Sequence, residues 1–246
     1  MSMGRILSFF GSRSRCGTSQ TALSLALKLA DIYPEKKVLL IHMEEAPGDE
    51  YTDAIRENMG TIRPLLENGL WAADEIFGRS LLKKNLYAIG GAGKPASAGL
   101  FHPDASAAFL TDMAAQCGFV ICDCGSDLSH GLCIGALTAS DSRCLVIDQS
   151  ESSLRRYEWM RELIRKIGAG PDVYVLNGYM KNDPCDTAYI SERLGCETKK
   201  IFTLPFSKNG REAELCGRPL AEYKDRRYAK DLCRLTEYLT NDEIRP

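Results

Sequence analysis

Several things are scarce in this 246-residue sequence, and each scarcity excludes a class of protein. Histidine occurs three times, at 42, 102 and 130, too scattered to support a Ser/His/Asp constellation by spacing. The ten cysteines include no CxxC pair, and no histidine stands at zinc-finger distance from a cysteine pair. Buried thiols in a reducing compartment are therefore expected rather than a metal knuckle or a disulfide framework. Cys122 and Cys124, either side of Asp123, are expected on opposite faces of a strand end. No run approaches the roughly 20 apolar residues of a membrane helix. Met1–Arg5 leads directly into an apolar stretch too short for a secretory signal, so a cytoplasmic protein without a transmembrane segment is expected. A formal net charge of −2 gives no overall attraction to nucleic acid or anionic lipid, and no direct nucleic-acid contact is expected. Repeats, linkers and low-complexity tracts are absent, so one domain over 1–246 is the expectation.

What is present is alternation. Continuous apolar runs at Ile6–Phe10, Val38–Ile41, Leu86–Ile89, Phe119–Cys122, Cys144–Ile147, Val173–Leu176 and Ile201–Leu204 suit strands covered on both faces. Between them lie helical patterns at Gln20–Ala30, Ala105–Gln116, Ser152–Ile167 and about Asp225–Leu239. The third is given an apolar set of Leu154, Trp159, Leu163 and Ile167, and the last one of Leu232, Leu235 and Leu239. This order predicts an α/β fold with a doubly wound, mostly parallel sheet. The basic residues Arg155, Arg156, Arg161, Arg165 and Lys166 share a helix with Glu158 and Glu162 and are read as a salt-linked, solvated face. The last helix is expected to pack on the sheet, with Glu237, Asp242 and Glu243 arguing against a membrane tail.

Between the first strand and the first helix lies Phe10-Gly11-Ser12-Arg13-Ser14-Arg15-Cys16-Gly17-Thr18-Ser19-Gln20. Small residues there allow backbone N–H groups to converge on an anion at a helix N-terminus. Ser19 stands where a P-loop hydroxyl reaches Mg²⁺, and Arg13 and Arg15 offer charge to phosphate. The pattern G-x4-G-K-[ST] is not met: its first glycine is Ser12 and its lysine is Thr18. On these residues alone, a plain strand-to-helix turn with two solvated arginines is an equal reading. Gly90–Pro95 has a superficial P-loop look, but Ala88 and Pro95 occupy the first-glycine and hydroxyl positions, and it is read as a loop.

The segment resembles the deviant Walker A loop, K-G-G-x-G-K-[ST], of the MinD/ParA family of P-loop NTPases. Arg13 then takes the signature-lysine position, Ser14 and Arg15 the two glycines, Gly17 the retained glycine, Thr18 the loop lysine and Ser19 the Mg²⁺ hydroxyl. Within the family it most resembles the CpaE/TadZ branch of pilus-assembly proteins, in which G-S-K-G-G-V-G-x-S loops occur. Further along, His42-Met43-Glu44 resembles the D-x-D end of the second strand, with only Glu44 left as a switch-region carboxylate. Asp123 matches the Walker B acid, Asn177 a purine-contacting asparagine and Pro205 a strand-ending proline before a base-facing loop. An ordinary strand-end aspartate capping the next turn is the other reading of Asp123.

The resemblance implies ATP and Mg²⁺ as cofactors and a cofactor-binding set of Gly11, Ser12, Arg13, Ser14, Arg15, Cys16, Gly17, Thr18, Ser19, Gln20, Asn177 and Pro205. It implies Ser19 and Asp123 at the metal, and catalytic roles for Arg13 and Glu44. It further implies a homodimer across nucleotide that positions or assembles a membrane-associated machine through a protein partner. With Thr18 in place of the lysine, slow or lost hydrolysis is expected. Two alternatives follow: a degenerate scaffold that keeps fold and dimer surface, and an unrelated doubly wound enzyme with another small ligand at the strand tips.

Overall fold

All seven apolar runs become strands: the inner ones are covered by helices on both faces, whereas Ile201–Leu204 forms an edge strand that is only partly buried. The computed structural model of the chain describes residues 3–52, 55–94 and 98–241. The chain runs β1 (Arg5–Gly11), α1 (Thr18–Ile32), β2 (Val38–His42), β3 (Glu57–Asn58), α2 (Met59–Asn68), α3 (Ala73–Ser80), β4 (Leu81–Lys83) and β5 (Leu86–Gly90). It continues through α4 (Pro103–Gln116), β6 (Phe119–Asp123), α5 (Gly131–Ala139), β7 (Ser142–Ile147), α6 (Glu151–Lys166) and β8 (Val173–Tyr179). It ends with α7 (Thr187–Leu194), β9 (Ile201–Pro205), α8 (Gly210–Leu215) and α9 (Arg226–Thr240).

The nine-stranded sheet has the order β3-β5-β2-β6-β1-β7-β8-β9, with every neighbouring pair on that path parallel. β4 alone is antiparallel, and it shares one edge of β5 with β3: Leu81 faces Tyr87, whereas Glu57 faces Ile89. β1 lies between β6 and β7, so its carboxyl end is flanked by two other strand tips. Period-2 geometry divides it between two cores. Ile6 and Phe10 join Phe109, Met113 and Leu132 on one face, and Leu7 and Phe9 join Ala22, Leu25, Leu29 and Leu235 on the other. The α/β, doubly wound expectation holds.

Two sequence expectations need correcting, and one buried helix gave no signal. On α6 the buried residues are Leu154, Tyr157, Met160 and Ile164, while Trp159 is 70% exposed and Leu163 is exposed as well. Five residues separate Leu154 from Trp159, about 140° around a helix, so the two cannot share a stripe. Trp159 instead lies under the Arg156 guanidinium, 4.2 Å from the ring centroid. Cys122 and Cys124 do not part either, since residues two apart on a strand share a face, and both join Cys133 in one core. α5, with the sequence GLCIGALTA, went unread because it is apolar on all sides and shows no period.

All ten cysteines are free thiols, six of them buried. On the α6 surface Glu151 pairs with Arg155 and Glu162 with Lys166, and Arg193 of α7 bridges Glu151 and Glu158. Among the described residues, no helix is long and apolar enough to cross a membrane. Pro95, Asp242 and Glu243 lie outside the described residues.

Leu232, Leu235 and Leu239 of α9 are buried, as the spacing indicated. The helix starts at Asp225, whose carboxylate accepts from the backbone N–H groups of Arg227 and Tyr228, and from the Ser207 hydroxyl at 2.7 Å. The Ser207 bond, followed by the two N–H bonds, holds the Asp225 carboxyl below its usual range. Asp225→Ala is expected to cost about 1–2 kcal/mol at pH 7. Because the folded-state pKa is the lower one, this contribution is present above the unfolded value and fades as pH falls through the folded one. Thermal melts of both proteins should therefore differ clearly at pH 7 and by less at pH 3, where the carboxylate has begun to protonate. Equal gaps at both pH values would refute the capping account.

Candidate functional site

The link from β1 to α1 is a tight turn in which alternate demands are met by small residues. Gly11 has no room for a Cβ, which would fall 2.4 Å from Thr18 Oγ1 and 2.7 Å from Cys16 Sγ. Gly17 takes φ +94° at the start of α1, a conformation that disfavours any L side chain. Against it lies Asn177 at the end of β8, whose Nδ2 donates to the Cys16 carbonyl at 3.0 Å. The loop is thus tied to a strand tip two strands away from β1.

Side chains within the loop sort into two sets. Ser12 and Cys16 point into the fold: the Ser12 hydroxyl meets Ser153 Oγ at 2.5 Å, and the Cys16 thiol lies 3.4 Å from the Val146 carbonyl. Burial pushes the Cys16 thiol up, so it stays protonated. Ser14 and Arg15 are exposed. Arg15 has φ +64°, one of two such non-glycine residues among those described, and occupies a position the resemblance gives to glycine. Arg13 reaches Asp148 at the tip of β7, with Nη2 2.5 Å from Oδ2 and the side chain 40% exposed.

Over the N-terminus of α1 opens a cleft of about 950 Å³. Arg13, Ser14, Arg15, Gly17, Thr18, Ser19, Gln20, Glu44 and Asn177 line it, so most of the residues singled out in the sequence converge. Gly11, Ser12 and Cys16 lie beneath the loop, and Pro205 is not on the cleft wall. Glu50, Tyr51, Gly125, Ser126, Arg211 and Glu214 also line the wall and were not singled out as site residues in the sequence. Most of these sit in segments between elements, where neither period nor motif marks them.

Below the cleft, at the tips of β2 and β6, His42 and Asp123 are register partners. His42 Nδ1 lies 3.0 Å from Asp123 Oδ2, with the two side chains 4% and 0% exposed. Asp123 Oδ1 accepts from the Gly125 backbone N–H at 3.2 Å, so the turn-capping reading of this aspartate describes one of its oxygens. Glu44 borders the same space. Burial, then the neighbouring Asp123 and Glu50 charges, push its carboxyl up to about 8. Wall charges are mixed, with Arg13, Arg15 and Arg211 set against Glu44, Glu50 and Glu214.

No family model and no curated protein sequence matches the chain. Solved structures do. A ParA family ATPase from Chlorobium tepidum TLS superposes with a TM-score of 0.81 at 18% identity, covering 94% of this chain and 98% of that one. The septum site-determining protein MinD of Pyrococcus horikoshii OT3, complexed with Mg-ADP, gives a TM-score of 0.77 at 18% identity, with 97% of each chain covered. A Cyanothece McdA variant in complex with ATP gives 0.76 at 17% identity, again over 97% of each. The fold of this chain is that of the MinD/ParA P-loop ATPases.

Proposed function

We propose that this chain binds ATP with a divalent cation in the cleft above α1 and acts as a MinD/ParA-like positioning or assembly factor with slow hydrolysis. The observation that carries the reading is the left-handed Gly17 at the start of α1, pinned by Asn177, beneath a cleft of about 950 Å³. That volume falls within the range of small-molecule sites, and the free N–H groups of a helix start are a phosphate site in waiting. The Pyrococcus MinD solved with Mg-ADP and the Cyanothece McdA solved with ATP support it. In this reading the 15–20 backbone and Arg15 meet phosphate oxygens, Ser19 and Asp123 supply oxygen donors to the cation, and Arg211 and Asn177 border the base. A bound Mg²⁺ would neutralise phosphate charge. Calorimetry of the full chain with ATP and Mg²⁺ tests this, and no heat of binding up to millimolar nucleotide ends the reading.

Assembly as a homodimer, a place in a CpaE/TadZ-like pilus system and a cytoplasmic location belong to the same proposal. Arg13 would serve the second subunit's phosphates, and in this chain Asp148 holds it back. Asp148→Asn is expected to strengthen nucleotide-dependent self-association by about two- to fivefold, the scale of a partly exposed ion pair. Sedimentation velocity over a concentration series reads it, and an unchanged or weakened association counts against a role for Arg13 across the interface.

A degenerate scaffold is the second reading. It is favoured by Thr18, which is short, 7% exposed and turned against Gly11, and by Arg15, whose bulk stands where backbone would approach phosphate. A dimer that forms equally with and without nucleotide would support it.

A further inference from the structure

At the floor of the cleft, three side chains turn ligand atoms toward one another. One ring nitrogen of His42, one carboxylate oxygen of Glu44 and one of Asp123 all lie within 4.8 Å of each other. Both nitrogens of the buried His42 ring lack a hydrogen-bond partner, as does Asp123 Oδ2. The 3.0 Å approach of His42 Nδ1 to that oxygen is out of line for a hydrogen bond. Buried polar atoms are nearly always satisfied, and leaving three together unpaired is costly. Two carboxylates in one buried corner add mutual repulsion, which a dication removes.

We propose that His42, Glu44 and Asp123 form a binding site for a first-row transition dication of the zinc or cobalt type. Imidazole with carboxylates is the donor set such ions take, whereas Mg²⁺ is held by oxygen alone. The scaffold around the site is tight. A Cβ on Gly48 would come 2.3 Å from the His42 ring, and one on Gly125 would come 2.2 Å from Glu44 Oε2. Parallel pairing of β2 with β6 fixes His42 beside Asp123, and the Gly125 N–H orients the aspartate through its other oxygen. Outer contacts of this kind set ligand direction at metal centres. The site shares Asp123 with the proposed nucleotide site, so it is tested with nucleotide absent.

The test uses the full chain, stripped with chelator and free of nucleotide, titrated with Co²⁺ and followed by visible absorbance and equilibrium dialysis. One Co²⁺ per chain is expected, with d–d bands and without the near-ultraviolet thiolate band that cysteine ligation would give. Millimolar Mg²⁺ should not displace it. Glu44→Gln and His42→Asn should each weaken Co²⁺ by roughly tenfold or more, with the fold checked by circular dichroism. His42→Asp should let Mg²⁺ compete. Should His42→Asn not fold, Glu44, the partly buried member of the three, carries the test alone. Absence of Co²⁺ binding, a purely thiolate spectrum, or unchanged affinity in the folded variants would overturn the site. A His42–Asp123 contact with no metal is the reading that would then stand. Because the titration is run without nucleotide, its failure is distinct from a failure of ATP binding, which calorimetry reads.

Discussion

A Thr18→Lys variant is expected to bind ATP with Mg²⁺ roughly 10- to 100-fold more tightly than the wild type. A hydrogen bond to a charged group contributes about 1.5–3 kcal/mol net, which is one to two decades of affinity. Thr18 is the first residue of α1 and lines the cleft, so a long side chain started there enters it. Its hydroxyl now rests near Gly11, a contact the lysine stem would leave. Thr18→Met separates charge from length, because it adds reach without an ammonium. Equal gains from the two substitutions would show that packing, not charge, was improved. No gain from lysine would mean that position 18 does not face the phosphates. Adding Arg15→Gly should strengthen binding further, since φ +64° suits glycine and the arginine bulk is removed.

Gly17→Ala should be the most damaging small change in the loop, at about 2–3 kcal/mol of stability. A left-handed L-residue costs about 1–2 kcal/mol, and the new methyl would meet Asn177 Nδ2 at 2.0 Å. Asn177 must then release the Cys16 carbonyl, losing about 0.5–1.5 kcal/mol. In a chain of this size that lowers the melting temperature by roughly 5–10 °C. The two parts separate in a double-mutant cycle. In an Asn177→Ala background, Gly17→Ala should cost only the backbone part. Additive losses in denaturant titrations would mean that Asn177 and Gly17 are not in contact.

The fold was legible because its signals are local. Ile6–Phe10, interrupted only by the small buried Ser8, and Phe119–Cys122 are apolar runs of the kind two-sided burial requires, and Leu232, Leu235 and Leu239 mark a helix face by spacing alone. Gly11 and Gly17, bracketing small and basic residues between strand and helix, made the loop readable. The failures share a cause as well. Trp159 and Leu163 were placed inward because hydrophobicity was weighed without angle. Pairing of His42 with Asp123 depends on β2 lying beside β6, and the tie of Arg13 to Asp148 on β1 lying beside β7. Strand order is a long-range property that neither period nor motif encodes. Glu50, Tyr51 and Glu214 reach the cleft by the course of the chain around it, for the same reason.

The edges of the sheet bear on how copies of this chain can meet. On one side β3 and β4, two and three residues long and running in opposite directions, divide the rim of β5 between them. On the other, β9 ends in Pro205, which has no N–H to offer. Neither rim presents a long uniform row of free peptide groups, the template on which strands of separate molecules zip together. Crowding this protein in a cell or a concentrator should therefore not drive it toward fibrous, strand-added aggregates. Copies that associate are left to meet through side chains, on the helix layers or at the strand tips, and not through backbone pairing along a rim.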